Sequence, residues 1–315
     1  MPLQIFGVGA DTMVYTTNQF SLNNATFEGV ILDAGPKVQI ENNATACPWI
    51  KFYTFHPTPT DGTTFALMPA QHYTSPSSLS GTTNPVYLIS THGLTQAGET
   101  SSSMYRIWRV RNGASGGPSL DELDLSVASY STPPPAPQPG GGIIDEGDVR
   151  IRQVAGIGDS LWATHAMTCS VDSNNQGCVR VFRFDVGQDG SGHLTAAVGQ
   201  SPALFSGSKY VNYWMPAIAA TSAQSTVVVY LTSSPTSYLS SAYTTKSAAA
   251  TTYGPAATLL AGGCNNGSPT SRSGDYQGAQ TNPNDLASFW IAGEATSASG
   301  QCSDIWKTEI ANVTP

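Results

Sequence analysis

No segment of this 315-residue chain carries sustained helical periodicity. Short runs rich in Val, Ile, Thr, Tyr, Phe and Trp recur instead, separated by clusters of Gly, Pro, Ser and Asn. β-Branched and aromatic side chains pack well on a pleated surface, and the intervening residues suit turns. The pattern predicts an all-β fold.

The runs fall into five groups. The first holds Phe6 to Gly9, Met13 to Phe20 and Phe27 to Ala34. The second holds Phe65 to Tyr73, Val86 to Gly93, Met104 to Val110 and Leu123 to Tyr130. The third holds Val149 to Gly156, Leu161 to Cys169, Val179 to Val186 and His193 to Val198. The fourth holds Met215 to Ala220, Thr226 to Ser233, Tyr238 to Thr245 and Ala256 to Ala261. The fifth holds Tyr276 to Thr281, Ser288 to Glu294 and Asp304 to Asn312.

Recurring groups of about four short strands are the pattern of β-propeller blades. One four-stranded sheet cannot bury both faces alone, whereas blades packed around an axis can. The expected architecture is a single domain over 1–315 with about five recognisable blades, or six or seven if absent sequence completes the ring. The fifth group has only three strands, so the first strands of the chain are expected to complete it. The spacing, roughly 60 residues, exceeds the ~40–50 of common propeller repeats, so long loops are expected. Val227-Val228-Val229-Tyr230 suits a strand covered on both faces. The Pro/Gly-rich stretch 131–142 is expected to be an inter-blade loop, neither strand nor helix.

Charge narrows the partners. Charged residues make up 11% of the chain and the net charge is −8. An acidic surface repels phosphate backbones, which argues against nucleic acid. No apolar run is long enough for a membrane span. Met1-Pro2-Leu3-Gln4 runs straight into strand-like sequence, so a secreted form is expected to be mature or trimmed.

Five cysteines are an odd count. Cys169 and Cys178 flank a hairpin-turn composition and are expected to form a disulfide. Cys264 and Cys302 form a second candidate pair, which leaves Cys47 for a free thiol or an outside partner. The competing reading is five reduced cysteines in a cytosolic protein. No C-x-x-C pair supports zinc. Sequons at Asn24, Asn43, Asn266 and Asn312 fit glycosylation if the source is a eukaryote or another glycosylating organism. Secretion or cell-surface display is the expected location.

Three stretches resemble a group of secreted, largely uncharacterised bacterial β-propeller proteins described as sialidase-like. The first is Gly7-Val8-Gly9-Ala10-Asp11 with Val14 to Phe20, followed by a strand from Phe27 to Lys37. The second is Asp148-Val149-Arg150-Ile151 with Gly158 to His165. The third is Arg272-Ser273-Gly274-Asp275-Tyr276 with Phe289-Trp290, Glu294, Trp306 and Thr308. The group carries Trp where Ser273 stands, and more sequence upstream. The resemblance implies that the ring here is smaller or is completed by another fragment or subunit. In sialidase-like chemistry a Tyr–Glu pair acts as nucleophile and arginines hold a carboxylate. Tyr276, Glu294, Arg150 and Arg272 match those residue types. Sialidase Asp-box repeats are missing from the sequence, which counts against that activity.

Read from the residues themselves, the candidates lining a channel are Asp145, Glu146, Asp148, Arg150, His165, Arg272, Asp275, Tyr276 and Glu294. Asp148, Asp275 and Glu294 could supply the two carboxyls a glycosidase needs. Arg150, His165 and Arg272 are candidate ligand-binding residues. Structural ion pairing is favoured over catalysis, because a buried charge needs a partner. His72, His92 and His165 have no metal-ligand spacing, so core histidines are expected and no metal site. Asp185 to Gly192 has some flavour of a calcium loop but reads better as a hairpin turn, so no cofactor is expected beyond a possible structural calcium ion. The favoured function is non-catalytic binding of a glycan or an extracellular protein surface. The alternatives are a carbohydrate-active enzyme working in the channel, either a glycoside hydrolase or a polysaccharide lyase, and a subunit of an extracellular assembly.

Overall fold

A computed structural model describes residues 4–23, 26–37, 53–56, 64–74, 85–91, 101–112, 117–265, 271–273, 277–297 and 306–315. The fold is all-β, with one short 3-10 turn at Pro139–Gly141 and no α-helix among the described residues.

Five meanders of consecutive strands organise the chain, and they coincide with the five groups of runs. The first joins Gln4–Val8, Thr12–Phe20, Phe27–Pro36 and Tyr53–Phe55, all antiparallel. The second joins Met68–Thr74, Val86–Thr91, Ser101–Arg111 and Ser119–Ser131. The third joins Gln153–Ile157, Ser160–Val171, Asn174–Gln188 and Leu194–Gln200. The fourth joins Asn212–Ala220, Thr226–Ser234, Ser237–Lys246 and Ala257–Leu260, again antiparallel. The fifth has three strands, Gly278–Thr281, Phe289–Thr296 and Trp306–Val313. The first three meanders and the Ala203–Leu204 bridge share one mixed, thirteen-stranded sheet.

Three expectations change. Tyr53–Phe55 adds a fourth strand to the first group, where its short aromatic run gave little periodicity to read. The first strand does not join the last meander. A tight turn, with Gly9 N donating to Thr12 O at 2.8 Å, folds Gln4–Val8 back onto Thr12–Phe20. A local hairpin closes a far smaller loop than a pairing between chain ends. The 131–142 stretch is not structureless either: Ala136–Pro137 pairs with Ile143–Asp145 around the 3-10 turn. Proline lacks a donor but keeps its carbonyl, and Pro137 O accepts from Ser233 Oγ at 2.7 Å. Gly140 and Gly141 supply the positive φ values, 81° and 82°, that reverse the chain.

The chain divides into two compact units. One contains residues 1–129, 153–162 and 183–199, and the other the remainder, with Ser160–Val171 and Asn174–Gln188 passing through both. In the first unit the opening strands of three meanders run parallel, with Val8 and Ala155 both in register with Gln71. Its core gathers Val14, Leu32, Leu67, Leu88, Trp108 and Val110. Burying side chains of this size stabilises by roughly 1.5–3 kcal/mol each. Arg109 is fully buried there and satisfied by Asp121 at 2.6 Å and by Gly192 O at 2.9 Å. In the second unit, Ala217, Ala219, Val227 and Val229 pack against Ala279, Phe289 and Ile291. Val227 to Tyr230 are essentially inaccessible, as their unbroken apolar run predicts.

Candidate functional site

The second unit collects most of the described candidates. Ile143–Asp145 lies between Ala136–Pro137 on one side and Ser271–Arg272 on the other. Asp145 is in parallel register with Arg272, so two segments far apart in sequence meet along one small sheet. The Arg272 side chain, Asp275 and Tyr276 lie outside the described residues, as do His92, Cys47, Cys302, Asn24, Asn43 and Asn266. Ser273 is buried, and its hydroxyl accepts the Trp214 indole N–H at 2.9 Å.

Beyond Asp145 the chain turns twice. Gly147 N donates to Asp145 Oδ1 at 2.8 Å, and Arg150 N donates to Asp148 Oδ1 at 3.0 Å. These side-chain-capped turns aim Asp148 at two arginines. Arg150 Nε reaches both carboxylate oxygens at 2.7 Å, and Arg152 Nη2 stands 3.6 Å away. Burial pushes the Asp148 carboxyl up, but the Arg150 hydrogen bonds and the charges of Arg152 and Arg150 outweigh it and hold the group below its usual range. The side chain still keeps 40% of its surface exposed.

Glu146 behaves in the opposite way. It is 1% exposed, and among the described residues neither carboxyl oxygen has a hydrogen-bond partner. Burial, reinforced by the charge of Asp145, raises it well above the ordinary carboxylate range. An uncharged carboxyl is the form such a site favours.

His165 is fully buried between Tyr130 and Phe182, at ring distances of 4.9 and 6.0 Å. Burial pushes it down to about 4, while Nδ1 is 2.8 Å from Ala166 O. A neutral core imidazole results. His72, in the first unit, is lowered to about 4 by the same cause, and Gly156 leaves room for its ring. Glu294 stands on Phe289–Thr296, opposite Thr308. Among the described residues no cluster of three or more His, Cys, Asp or Glu is placed to hold a metal ion. Asp189 ends the Asn174–Gln188 strand by accepting from Ser191 N and His193 N at 2.8 and 2.9 Å, an ordinary hairpin arrangement.

Cys169 and Cys178 are joined in a disulfide across a two-residue hairpin. Asp172 and Ser173 both have positive φ, 47° and 65°, the geometry of a type I′ turn. Cys264 is also disulfide-bonded. Asn312 sits on an exposed strand, with its amide 3.3 Å from both Ser288 Oγ and Phe289 O.

Between the disulfide's own strand and the fourth meander lies a feature the sequence did not announce. The loop after Ala203–Leu204 carries Phe205 and Tyr210, each 50% exposed. Gln176, completely buried beside Cys178, holds this loop. Its amide nitrogen lies 2.9 Å from Val211 O and 3.3 Å from Ser208 O, and its amide oxygen accepts Tyr210 N at 2.9 Å. Asn212 adds a second clamp, accepting from Gly177 N at 2.6 Å and donating to Tyr210 O at 3.0 Å. Tyr210 itself has φ of 64°. That conformation costs a non-glycine residue roughly 1–2 kcal/mol, which the surrounding hydrogen bonds offset. The result is a braced loop presenting two aromatic side chains to solvent. In sequence, Gln176 is one polar residue in a polar turn, and nothing in its spacing separates it from Asn174 or Asn175.

No protein-family model matches this sequence, and comparison with curated proteins finds no significant relative.

Proposed function

We propose that this chain is an extracellular binding protein of the β-propeller type that engages glycans without turning them over. The observation that carries the reading is the Phe205–Tyr210 loop. Exposed aromatic side chains offer flat apolar faces with polar edges, the surface on which sugar rings stack. Bracing by Gln176, Asn212 and the adjacent disulfide removes the entropy that a loose loop would lose on binding. The grouping of strands into five meanders, and the parallel alignment of three opening strands, support the blade reading. The disulfide supports an oxidising compartment. Exposed protein surfaces are a second ligand class of the same site.

A glycan array probed with the full chain tests this reading. Binding is expected to fall more than about tenfold in Phe205→Ala and Tyr210→Ala, a loss of about 1.4 kcal/mol or more. Retention of all hits by both variants would overturn it.

A carbohydrate-active enzyme is the second reading, favoured by one observation. Glu146 and Asp148 sit two residues apart with their carboxyls shifted in opposite directions, the pattern of an acid and its partner. Against it stand the arginines that occupy Asp148 and the near-complete burial of Glu146. Release of reducing sugar by the chain, abolished in Glu146→Gln, would establish this reading in place of the first.

A further inference from the structure

The fifth meander ends in an open edge. Trp306–Val313 pairs with Phe289–Thr296 on one side and with no other described strand. The pairing runs from Phe289↔Val313 to Thr296↔Trp306 without a register shift. The pairings of the fourth meander each carry a shift. A long, regular, unpaired edge is a template for another strand unless something protects it.

The residues along this edge are unusually exposed. Every position from Trp306 to Ile310 is accessible, with Trp306 at 38% and Ile310 at 67%. Cross-strand partners share a face, so Trp306, Thr308 and Ile310 lie on the same face as Trp290, itself 45% exposed. Lys307 and Glu309 point the other way. The opposite face carries Phe289, Ile291 and Ala311 and is packed on the fourth meander.

The order of these residues is self-complementary. Antiparallel pairing of the strand with itself about Thr308 sets Lys307 against Glu309 twice, Trp306 against Ile310 twice and Thr308 against Thr308. Each pair within Trp306–Ile310 is then favourable: opposite charges, an aromatic with a β-branched residue, and two threonines. The edge strand Ser119–Ser131 carries Asp121, Glu122 and Asp124 and no basic residue, so it lacks this charge complementarity.

We propose that Trp306–Ile310, the most exposed part of this edge strand, is a self-association surface, which pairs antiparallel with the same segment of a second copy about a two-fold axis at Thr308. The contact is isologous, so it closes at a dimer and joins two three-stranded sheets into one of six strands. One strand pair with its flanking aromatics buries less than an obligate interface, so the dimer is concentration-dependent. The proposal does not depend on the binding role assigned to the Phe205–Tyr210 loop.

Sedimentation velocity on the full chain across a concentration series tests it, with circular dichroism to show that each variant is folded. The unaltered chain is expected to shift from its monomer mass of 32.9 kDa to twice that value as concentration rises. Glu309→Lys sets lysines opposite one another at both symmetric positions and is expected to weaken the dimer about tenfold or more. The exchange Lys307→Glu with Glu309→Lys restores complementarity and is expected to restore the dimer. Thr308→Cys is expected to give a covalent dimer on mild oxidation, because directly opposed antiparallel residues have Cα atoms about 4.5–5.5 Å apart, within disulfide range. A chain that stays monomeric at the highest concentration overturns the proposal. So does a dimer indifferent to Glu309→Lys, or one that Thr308→Cys fails to cross-link.

Discussion

The carboxyl group of Glu146 fills the space that a side chain on Gly177 would need. Gly177 is therefore required for room rather than for backbone freedom, and it lies next to Cys178 and donates its N–H to Asn212. Gly177→Ala is expected to destabilise by about 1–3 kcal/mol, the usual cost of overpacking a filled site. Shortening the opposing side chain with Glu146→Ala is expected to recover part of that loss, so the two substitutions are non-additive. Chemical denaturation of the two single variants and the double variant measures the coupling.

Glu146 and Asp148 make opposite contributions to the pH dependence of stability. The Glu146 carboxyl is raised in the folded state, so the folded chain holds that proton more tightly than the unfolded chain. Its stabilising contribution is complete below the unfolded glutamate range, near 4.3, and is lost as pH rises through the folded value. Asp148 is depressed, so its contribution is present above the unfolded aspartate range, near 3.9, and is lost as pH falls through the folded value. Glu146→Gln is expected to flatten the decline on the high-pH side, and Asp148→Asn to remove part of the decline on the acid side. Melting temperatures from pH 3 to 9 separate the two. A high-pH limb that Glu146→Gln leaves unchanged would mean that this carboxyl is not the buried acid described.

Gln176→Ala removes the amide that ties Tyr210, Ser208 and Val211 together. Loosening is expected to be local, because the loop is exposed while the strands around it are buried. Trypsin cleavage after Lys209 is expected to become much faster than in the parent, because each hydrogen bond lost weakens the loop locally by about 0.5–1.5 kcal/mol. Glycan binding is expected to weaken in parallel. Equal cleavage rates in the two proteins would show that Gln176 does not brace the loop.

The Cys169–Cys178 bridge closes a short loop, with a sequence separation of 9. Replacing both cysteines by serine is expected to cost about 2–3 kcal/mol, less than a bridge spanning a hundred residues would. Denaturant unfolding of the oxidised parent and the double variant gives the value. Because the bridge flanks Gln176, faster trypsin cleavage at Lys209 is expected here too.

Much of the fold was legible along the chain. Alternating and continuous apolar runs located every strand of the five meanders except Tyr53–Phe55, and the polar turn between Cys169 and Cys178 located the bridged hairpin. Tyr53–Phe55 escaped because three residues carry almost no periodicity. Ala136–Pro137 escaped because proline content outweighed a pairing of only two residues with Ile143 and Ile144. The candidate site was less legible. Asp148 and Arg150 stood out as charges in a low-charge chain, and their pairing followed from proximity. Gln176 and Asn212 did not stand out, since Gln176 acts on carbonyls 30 and more residues away and Asn212 accepts the N–H of Gly177 from the far side of the same loop.

By itself, then, the amino-acid order determined the class of fold, the division into five strand groups and the hairpin disulfide. All of these rest on local periodicity and turn chemistry, which act over a few residues. Only the tertiary structure decided that Glu146 is buried with no partner among the described residues, that Phe205 and Tyr210 are held out to solvent, and that the last strand has no second neighbour among the described strands. Burial and hydrogen-bond partners are set by segments that meet across long sequence separations, and no local pattern encodes which segments will meet.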